Sequence, residues 1–447
     1  MESERMSVKA TKFGGSSVAD STQFKKVKSI IEADPDRRFV VVSAPGKRNS
    51  SDSKITDLLY LLDAHRMYHV NADNVTKLIT ERFVEIRDSL NLKQNIEKDL
   101  ENFYKNLNQY NQAEIVSRGE YFCAKLMAEY LGYPFVDAAD VIRLNLDKTI
   151  DWDATRVRIK AKVNELGRFV LPGFYGSQAN GKIQVFSRGG GDITGAILAN
   201  CIDADTYENW TDVSGFLMAD PRVVNNPKPI RRINYSELRE LSYMGASVLH
   251  DEAIFPVKES NIPIHILNTN HPEDEGTIIQ ESSGIPRRYP ITGIAGKPGF
   301  MSIYVGKKHM SNEIGYIRRV LSILERFNVS VEHLPSGIDS FTIIVSNAEV
   351  EDSLYEILHQ IKRDCQPDEL KTQDHIALVS TVGKRMSHVP GMAGRLFEAL
   401  GREQISIRMI AQDSNEINIT VAIDEKDLNK TVKTIYEEFV EKEDNAL

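Results

Sequence analysis

"KATKFGGSSVADS", residues 9–21, decides the fold. A short apolar stretch runs into Gly14 and Gly15, and the Ser-Ser-Val run after them reads as a helix start. Strand, glycine turn and helix N-terminus in that order suit an anion, because the free N–H groups of a turn and a helix start point at it. Glycine lets the backbone come close. Lys12, however, stands before the glycines, whereas a Walker phosphate loop carries its lysine after them. Without a ligand the same stretch is an ordinary strand–turn–helix with a surface lysine, so its meaning depends on the rest of the chain.

Working outward, the first 50 residues alternate strand and helix signals. "FKKVKSIIE" is helical, and "RRFVVVSAPG" is a β-branched strand ending in a turn. A run of consecutive apolar residues such as Phe39–Val42 belongs in a parallel sheet covered on both faces. Between residues 54 and 130 the pattern becomes helical, with Ile55, Leu58, Leu59 and Leu62 at helical spacing. The α/β rhythm then resumes and predicts one α/β domain over residues 1–290, ending in the breaker-rich "ESSGIPRRYP".

The last 150 residues hold an internal repeat with a constant offset of 76 positions. Gly315-Tyr316-Ile317 aligns with Gly391-Met392-Ala393, and Val329-Ser330-Val331 with Ile405-Ser406-Ile407. Each unit reads strand, glycine-bearing loop, helix, strand, strand, helix. The second unit lacks a closing strand, and "YPITGIAGK" before the first is a spare one. The expectation is a first unit at 298–371 inserted into a second made of 291–297 and 372–447.

The chain has 447 residues, too many for one core. A net charge of −9 argues against a nucleic-acid protein but leaves room for a local basic pocket. Cys123, Cys201 and Cys365 lack metal-ligand spacing and read as buried small apolar residues in a reducing compartment. Residues 1–5 lack the apolar core of a signal peptide, and no apolar run reaches the roughly 20 residues of a membrane span. The expectation is a cytoplasmic protein with no membrane or nucleic-acid partner.

Three further stretches could carry chemistry. "SRGGGDITGAILA", residues 187–199, opens a helix with glycines between Arg188 and Asp192. It offers a guanidinium fork and exposed N–H groups to a carboxylate or phosphate, or else is a flexible hairpin. "NWTDVSGFLMADPRVV", residues 209–224, ends a strand at Thr211 and Asp212, where open α/β sheets bind ligands. Glu120, in "SRGEYFCAKLMA", opens a helix, where a carboxylate by itself simply favours the helix dipole.

Together these motifs resemble the aspartate kinases of the amino-acid kinase family: "KFGGSSV", "VVSAPGK", "SRGE", "PGFYG", "RGGGD", "WTDVSGF", "ADPRVV" and "GASVLH" stand in that family's order. The tail "VPGMAGRLFEAL…ISIRMIAQDSNEINITV" resembles its paired ACT regulatory domains. The resemblance implies a three-layer α/β/α kinase domain with a mainly parallel sheet, plus two ferredoxin-like βαββαβ ACT domains. It implies transfer of the γ-phosphoryl of ATP, with Mg²⁺, to the side-chain carboxylate of L-aspartate, the first step towards lysine, threonine and methionine.

By that resemblance Lys12 stabilises charge on the moving phosphoryl group, and Asp192 orients it. Gly14, Gly15 and Ser16 meet the phosphates. Thr211, Asp212, Arg222 and Ser247 meet the nucleotide. Glu120 takes the aspartate ammonium and Arg188 its α-carboxylate, while Ser43, Thr56 and Gly191 line the acceptor site. Met310, Gly315, Tyr316, Ile317, Ser330, Val331 and Glu332 match positions that hold lysine in lysine-inhibited relatives. Lysine is thus the favoured effector, and a homodimer or dimer of dimers through ACT domains is expected.

The chain also departs from the family pattern. Ser247 replaces a frequent phosphate-binding lysine, Leu217 a tyrosine of the adenosine pocket, Gly191 a serine and Asp251 a proline. These leave two alternatives open: a catalytically weak ACT-containing sensor, or a kinase of a related acidic amino acid.

Overall fold

The computed structural model describes residues 7–445, apart from 187–188, 246–248, 250–254, 282–287 and 413–416. It divides into two compact units that do not follow chain order. The first runs to Phe216 and adds Arg231–Tyr235 and residues 248–283. The second takes Leu217–Ile230, residues 236–247 and residues 284–447.

The first unit is built on seven strands: β1 (Lys9–Phe13), β2 (Phe39–Val42), β3 (Phe169–Pro172), β4 (Thr206–Thr211), β5 (Arg232–Ile233), β6 (Ile264–Asn268) and β7 (Thr277–Ile279). Their order is β5-β7-β6-β4-β1-β2-β3, and every neighbouring pair is parallel except β6–β7. Phe39 to Val42 are each at most 1% exposed, as expected for a strand covered on both faces. Each such side chain contributes roughly 1.5–3 kcal/mol through burial. In the parallel register Lys12 lies between Val41 and Asn209.

The opening stretch folds as strand, turn and helix, with a refinement. Gly15–Val18 forms a single 3₁₀ turn, and the α-helix α1 (Ser21–Glu32) starts only after Asp20. The Asp20 carboxylate caps it by accepting from the Gln23 N–H at 2.9 Å.

The helical section comprises α2 (Ile55–Met67), α3 (Asp73–Ser89), α4 (Ile96–Lys105) and α5 (Arg118–Leu131), with shorter pieces between. Ile55, Leu58, Leu59 and Leu62 are buried as their spacing predicts, in one cluster with Phe83, Phe103 and Phe122. Phe122 meets Phe83 and Phe103 edge-on at 5.8 and 6.2 Å. The three cysteines are buried and free. A further helix, α6 (Gly190–Cys201), is buried along most of its length, and Gly195 allows the Tyr207 ring of β4 to press against its backbone.

The second unit holds an antiparallel sheet of β8 (Gly293–Gly306), β9 (Ser340–Ser346), β10 (Glu369–Val382), β11 (Ile407–Ala411) and β12 (Asn418–Asp424), in the order β9-β8-β10-β12-β11. β8 and β10 are each 14 residues long and pair along their whole length. The N-terminal half of β8, Gly293 to Lys297, pairs with Leu378 to Val382, while Phe300 to Gly306 pairs with β9 on its other side. A register shift between Lys297 and Phe300 separates the halves, and Gly299 supplies the required positive φ of 88°. Helices α7 (Tyr316–Arg326), α8 (Leu354–Cys365), α9 (Met392–Arg402) and α10 (Leu428–Tyr436) complete the two repeats.

One element of the repeat differs from its expectation. Val329-Ser330-Val331 forms no strand matching β11; residues 333 and 336 make only isolated bridges to β9. Pro335 lacks the N–H that a ladder needs, and Gly337 turns the chain back.

Candidate active cleft

The carboxyl ends of β1, β2 and β4 and the N-terminus of α6 surround a cleft of about 940 Å³. This is where an open α/β sheet places a ligand: the strands stop, the loops diverge, and the α6 amides point in. The sequence brings four motifs here. Lys12, Gly14, Gly15 and Ser16 come from β1 and its turn, and Ser43 from the end of β2. Thr56 opens α2, Glu120 opens α5, Gly191 and Asp192 open α6, and Thr211 and Asp212 close β4.

At the floor, Lys12 Nζ lies 2.5 Å from Asp192 Oδ1. The two residues are 7% and 8% exposed. Asn209, level with Lys12 on the adjacent strand, bridges them: its amide nitrogen donates to Asp192 Oδ1 at 2.9 Å, and its oxygen accepts from Lys12 at 3.4 Å. The ammonium is thus fixed at the floor of the cleft and largely withdrawn from solvent, where a charge acts more strongly than in water. A Cβ on Gly14 would sit 3.5 Å from Lys12 Nζ, so glycine keeps the space above the ammonium clear.

Glu120 supplies the opposite charge preference. It is 5% exposed, and Oε2 has no hydrogen-bond partner. Burial pushes its carboxyl up to about 8, against the pull of the Ala44 and Glu120 backbone N–H groups and the Arg118 charge. Glu120 thus lines the cleft as a buried acid with one unpartnered oxygen.

Gly191 has a steric reason: a Cβ there would lie 2.7 Å from Ser43 Oγ. The Ser43 hydroxyl occupies the space that a side chain at 191 would need.

Four residues singled out in the sequence fall elsewhere. Arg188 and Ser247 lie outside the described residues, as does Asp251. Arg222 is not among the residues of this cleft; it belongs to the second unit, where its guanidinium meets Asp220 at 2.6 Å and is 88% exposed.

The effector positions cluster in the second unit. Gly315, with φ of 80°, caps α7, and Met310 and Tyr316 are buried in the core of the first repeat. Ile317 and Val331 pack against that core. The Ser330 N–H donates to Glu349 at 2.7 Å, and Glu332 accepts from the Tyr243 hydroxyl at 2.5 Å.

Sequence reading missed Asn209, Lys47, Lys54, Asp57 and Tyr60, which also line the cleft. Asn209 was within reach: it stands two residues before Thr211, and alternate strand residues share a face. Tyr60 lies one helical turn after Thr56. Lys47 and Lys54 had no such signal, because they lie in an irregular loop.

The family comparisons agree with this geometry. Residues 8–268 match the amino acid kinase family, and residues 379–439 match an ACT domain. The chain is 38% identical over 449 residues to aspartokinase 3 of Bacillus subtilis, covering 97% of this chain and 98% of that protein. The crystal structure of Clostridium acetobutylicum aspartate kinase superposes with a TM-score of 0.91 at 47% identity, covering 98% of this chain and all of that one. E. coli aspartokinase III, 25% identical, was solved with aspartate and ADP (TM-score 0.74) and with lysine and aspartate (TM-score 0.76). These cover 96% and 97% of this chain and 99% of theirs. With the cleft, the parallel sheet and the antiparallel C-terminal region in place, the chain belongs to the amino acid kinase family and, within it, to the aspartate kinases, phosphotransferases whose acceptor is a carboxyl group.

Proposed function

We propose that this enzyme converts L-aspartate and ATP to 4-phospho-L-aspartate and ADP, and that lysine restrains it through the ACT region. The observation that carries the reading is the meeting, in one cleft, of the buried Lys12–Asp192–Asn209 group with the unpartnered Glu120 carboxyl.

The reaction needs no general base, since the side-chain carboxylate of aspartate is already ionised at neutral pH. One of its oxygens bonds to the γ-phosphorus, the bond to the β,γ-bridging oxygen breaks, and ADP leaves with that electron pair. Catalysis is positioning and charge stabilisation. Lys12 meets the negative charge on the transferring group, while Asp192 and Asn209 hold its ammonium in place. The amides of Gly15 and Ser16 and the α6 N-terminus add fixed positive dipoles, whereas the Gly14 N–H is committed to the Trp210 carbonyl at 3.0 Å. Glu120 takes the α-ammonium, and Ser43, Thr56 and Gly191 shape the acceptor end. The assignments of Arg188 to the α-carboxylate, and of Thr211, Asp212, Arg222 and Ser247 to the nucleotide, rest on the family resemblance. ATP carries Mg²⁺ on its phosphates, where the ion offsets charge. Among the described residues no group of three His, Cys, Asp or Glu side chains is placed to hold it, and no step here is routed through it.

The lysine reading rests on the E. coli complex with lysine and on Glu332, a carboxylate at an effector position. The β8 register supports dividing the regulatory region into 298–371 and 291–297 with 372–447, after a kinase domain to 290. We place the enzyme in the cytoplasm, as a homodimer or dimer of dimers through its ACT domains; among the described residues no helix is long and apolar enough to cross a membrane.

The test mixes protein, ATP, Mg²⁺, L-aspartate and hydroxylamine and looks for aspartyl hydroxamate while lysine and threonine are titrated. Hydroxamate formed with aspartate and suppressed by lysine is the expected result. Its absence would overturn the kinase reading, and suppression by threonine alone would overturn the effector.

A further inference from the structure

The loop between β2 and α2 is pinned from the helical section. Arg82, on α3, is only 4% exposed. One terminal nitrogen donates to the Gly46 carbonyl at 2.7 Å, and the other pairs with Asp52. Asp52 also accepts the Arg48 backbone N–H at 2.9 Å and its guanidinium at 3.0 Å, and Arg48 reaches Glu85 of α3 at 2.5 Å. The loop is thereby tied to one face of a single helix.

The same loop touches the glycine turn. The Gly46 N–H donates to the Gly15 carbonyl at 2.8 Å, and a Cβ on Gly46 would lie 2.7 Å from the Gly15 carbonyl carbon. Arg82 therefore holds Gly46 against Gly15 with less than a methyl group to spare. The next residue, Lys47, is exposed, lines the cleft and forms no ion pair among the described residues.

We infer that Lys47 is a nucleotide-phosphate ligand of this cleft, and that Arg82 is the residue that positions it by clamping Gly46 onto Gly15. The inference rests on the reading of the cleft as an ATP site. Phosphate is the partner because Lys47 is one residue from Gly46, whose N–H is bonded to the glycine turn proposed to meet the phosphates, whereas the ammonium end of the acceptor is assigned to Glu120. Lysine suits the role: a point charge on a flexible four-carbon stem.

The test is calorimetric titration with ATP and Mg²⁺, alongside initial-rate kinetics. Lys47→Ala should weaken nucleotide binding about tenfold, the scale of one lost charge-assisted contact. KM for aspartate should move less than about twofold, and Lys47→Arg should keep most of the affinity. Arg82→Lys retains a charge beside Asp52 but cannot serve Asp52 and Gly46 together, and should weaken ATP binding severalfold. In a Lys47→Ala background the same change should add almost nothing, because the two act as one unit. A purely structural Arg82 would give additive effects. Unchanged nucleotide affinity in Lys47→Ala, or additive losses in the double variant, would overturn the inference. If the parent protein binds ATP but makes no hydroxamate, the aspartate reading fails while the calorimetry still decides this one.

Discussion

Glu120 makes a prediction that can be worked in numbers. Its carboxyl is raised from an ordinary 4.5 to about 8 by burial, and one oxygen has no partner. At pH 7 about nine-tenths of the empty enzyme then carries a proton there. An α-ammonium arriving beside it favours the ionised form, so binding of aspartate should expel that proton. The expected release is about 0.9 proton at pH 7, about 0.5 at pH 8 and about 0.1 at pH 9. Isothermal titration of aspartate in buffers of different ionisation enthalpy reads this directly. Glu120→Gln should abolish the release and weaken aspartate binding, since an amide offers no charge to the ammonium.

Stability follows with a definite sign. A carboxyl raised on folding binds more protons in the native state than in the unfolded chain, so stability falls as pH rises between 4.5 and about 8. The loss is at most about 1.4 kcal/mol per pH unit, with an upper bound of about 5 kcal/mol across the window. Denaturation of Glu120→Gln should show a flatter pH dependence over that range. If aspartate binds the parent enzyme at pH 7 with no proton release, and Glu120→Gln binds it equally well, the assignment of the ammonium to Glu120 is refuted.

Three further outcomes can be measured. Lys12→Ala should cost about 3–4 kcal/mol of barrier, a hundredfold to thousandfold fall in kcat, with the circular dichroism unchanged; a fall below about threefold would end its role. Gly191→Ser must move the Ser43 hydroxyl, because its Cβ would lie 2.7 Å from Ser43 Oγ, and should raise KM for aspartate about tenfold; an unchanged KM would show that Ser43 does not face the acceptor. Tyr243→Phe removes the donor that holds Glu332, so lysine should inhibit at lower concentration, by the two- to tenfold that about 0.5–1.5 kcal/mol of hydrogen bond allows; an unshifted or weaker inhibition would separate Glu332 from the effector.

Much of this was legible in the sequence, for identifiable reasons. The Phe39–Val42 run could only be a covered strand, and the Ile55–Leu62 spacing only a buried helix face. The cleft motifs were legible because glycines and charged residues at strand ends have few alternative uses. The roles expected of Lys12 and Asp192 came from resemblance, but their 2.5 Å contact depends on how the start of α6 packs against β1, far away in the chain, which no local pattern encodes. Asn209 did have a local signal, its place two residues before Thr211 on one strand face, but its partner Lys12 lies on another strand. The start of the first helix was misplaced because Ser16-Ser17-Val18 carries helix-start chemistry, yet the Asp20 cap provides the stronger stop and restart. Lys47 carried no such signal, because its loop neighbour Gly46 is held by Arg82 from a helix far along the chain.

The division of the chain suggests how regulation can act through a short lever. Residues 236–247 lie within the span that matches the kinase family, yet belong physically to the C-terminal unit. There Glu237 accepts from the Thr292 hydroxyl at 2.7 Å and from the Lys384 N–H at 2.9 Å, just before β8 and just after β10. Asn418, at the start of β12, donates to Glu240, and Leu241 packs against Gly293. The helix Tyr235–Tyr243 is thus bolted to the end of the long ribbon, while its Tyr243 reaches Glu332, a proposed effector position. In the proposed lysine reading, an effector ammonium at Glu332 competes with that hydroxyl. A switch built this way needs only the 1–3 kcal/mol typical of allosteric coupling, about the worth of one hydrogen bond to a charge.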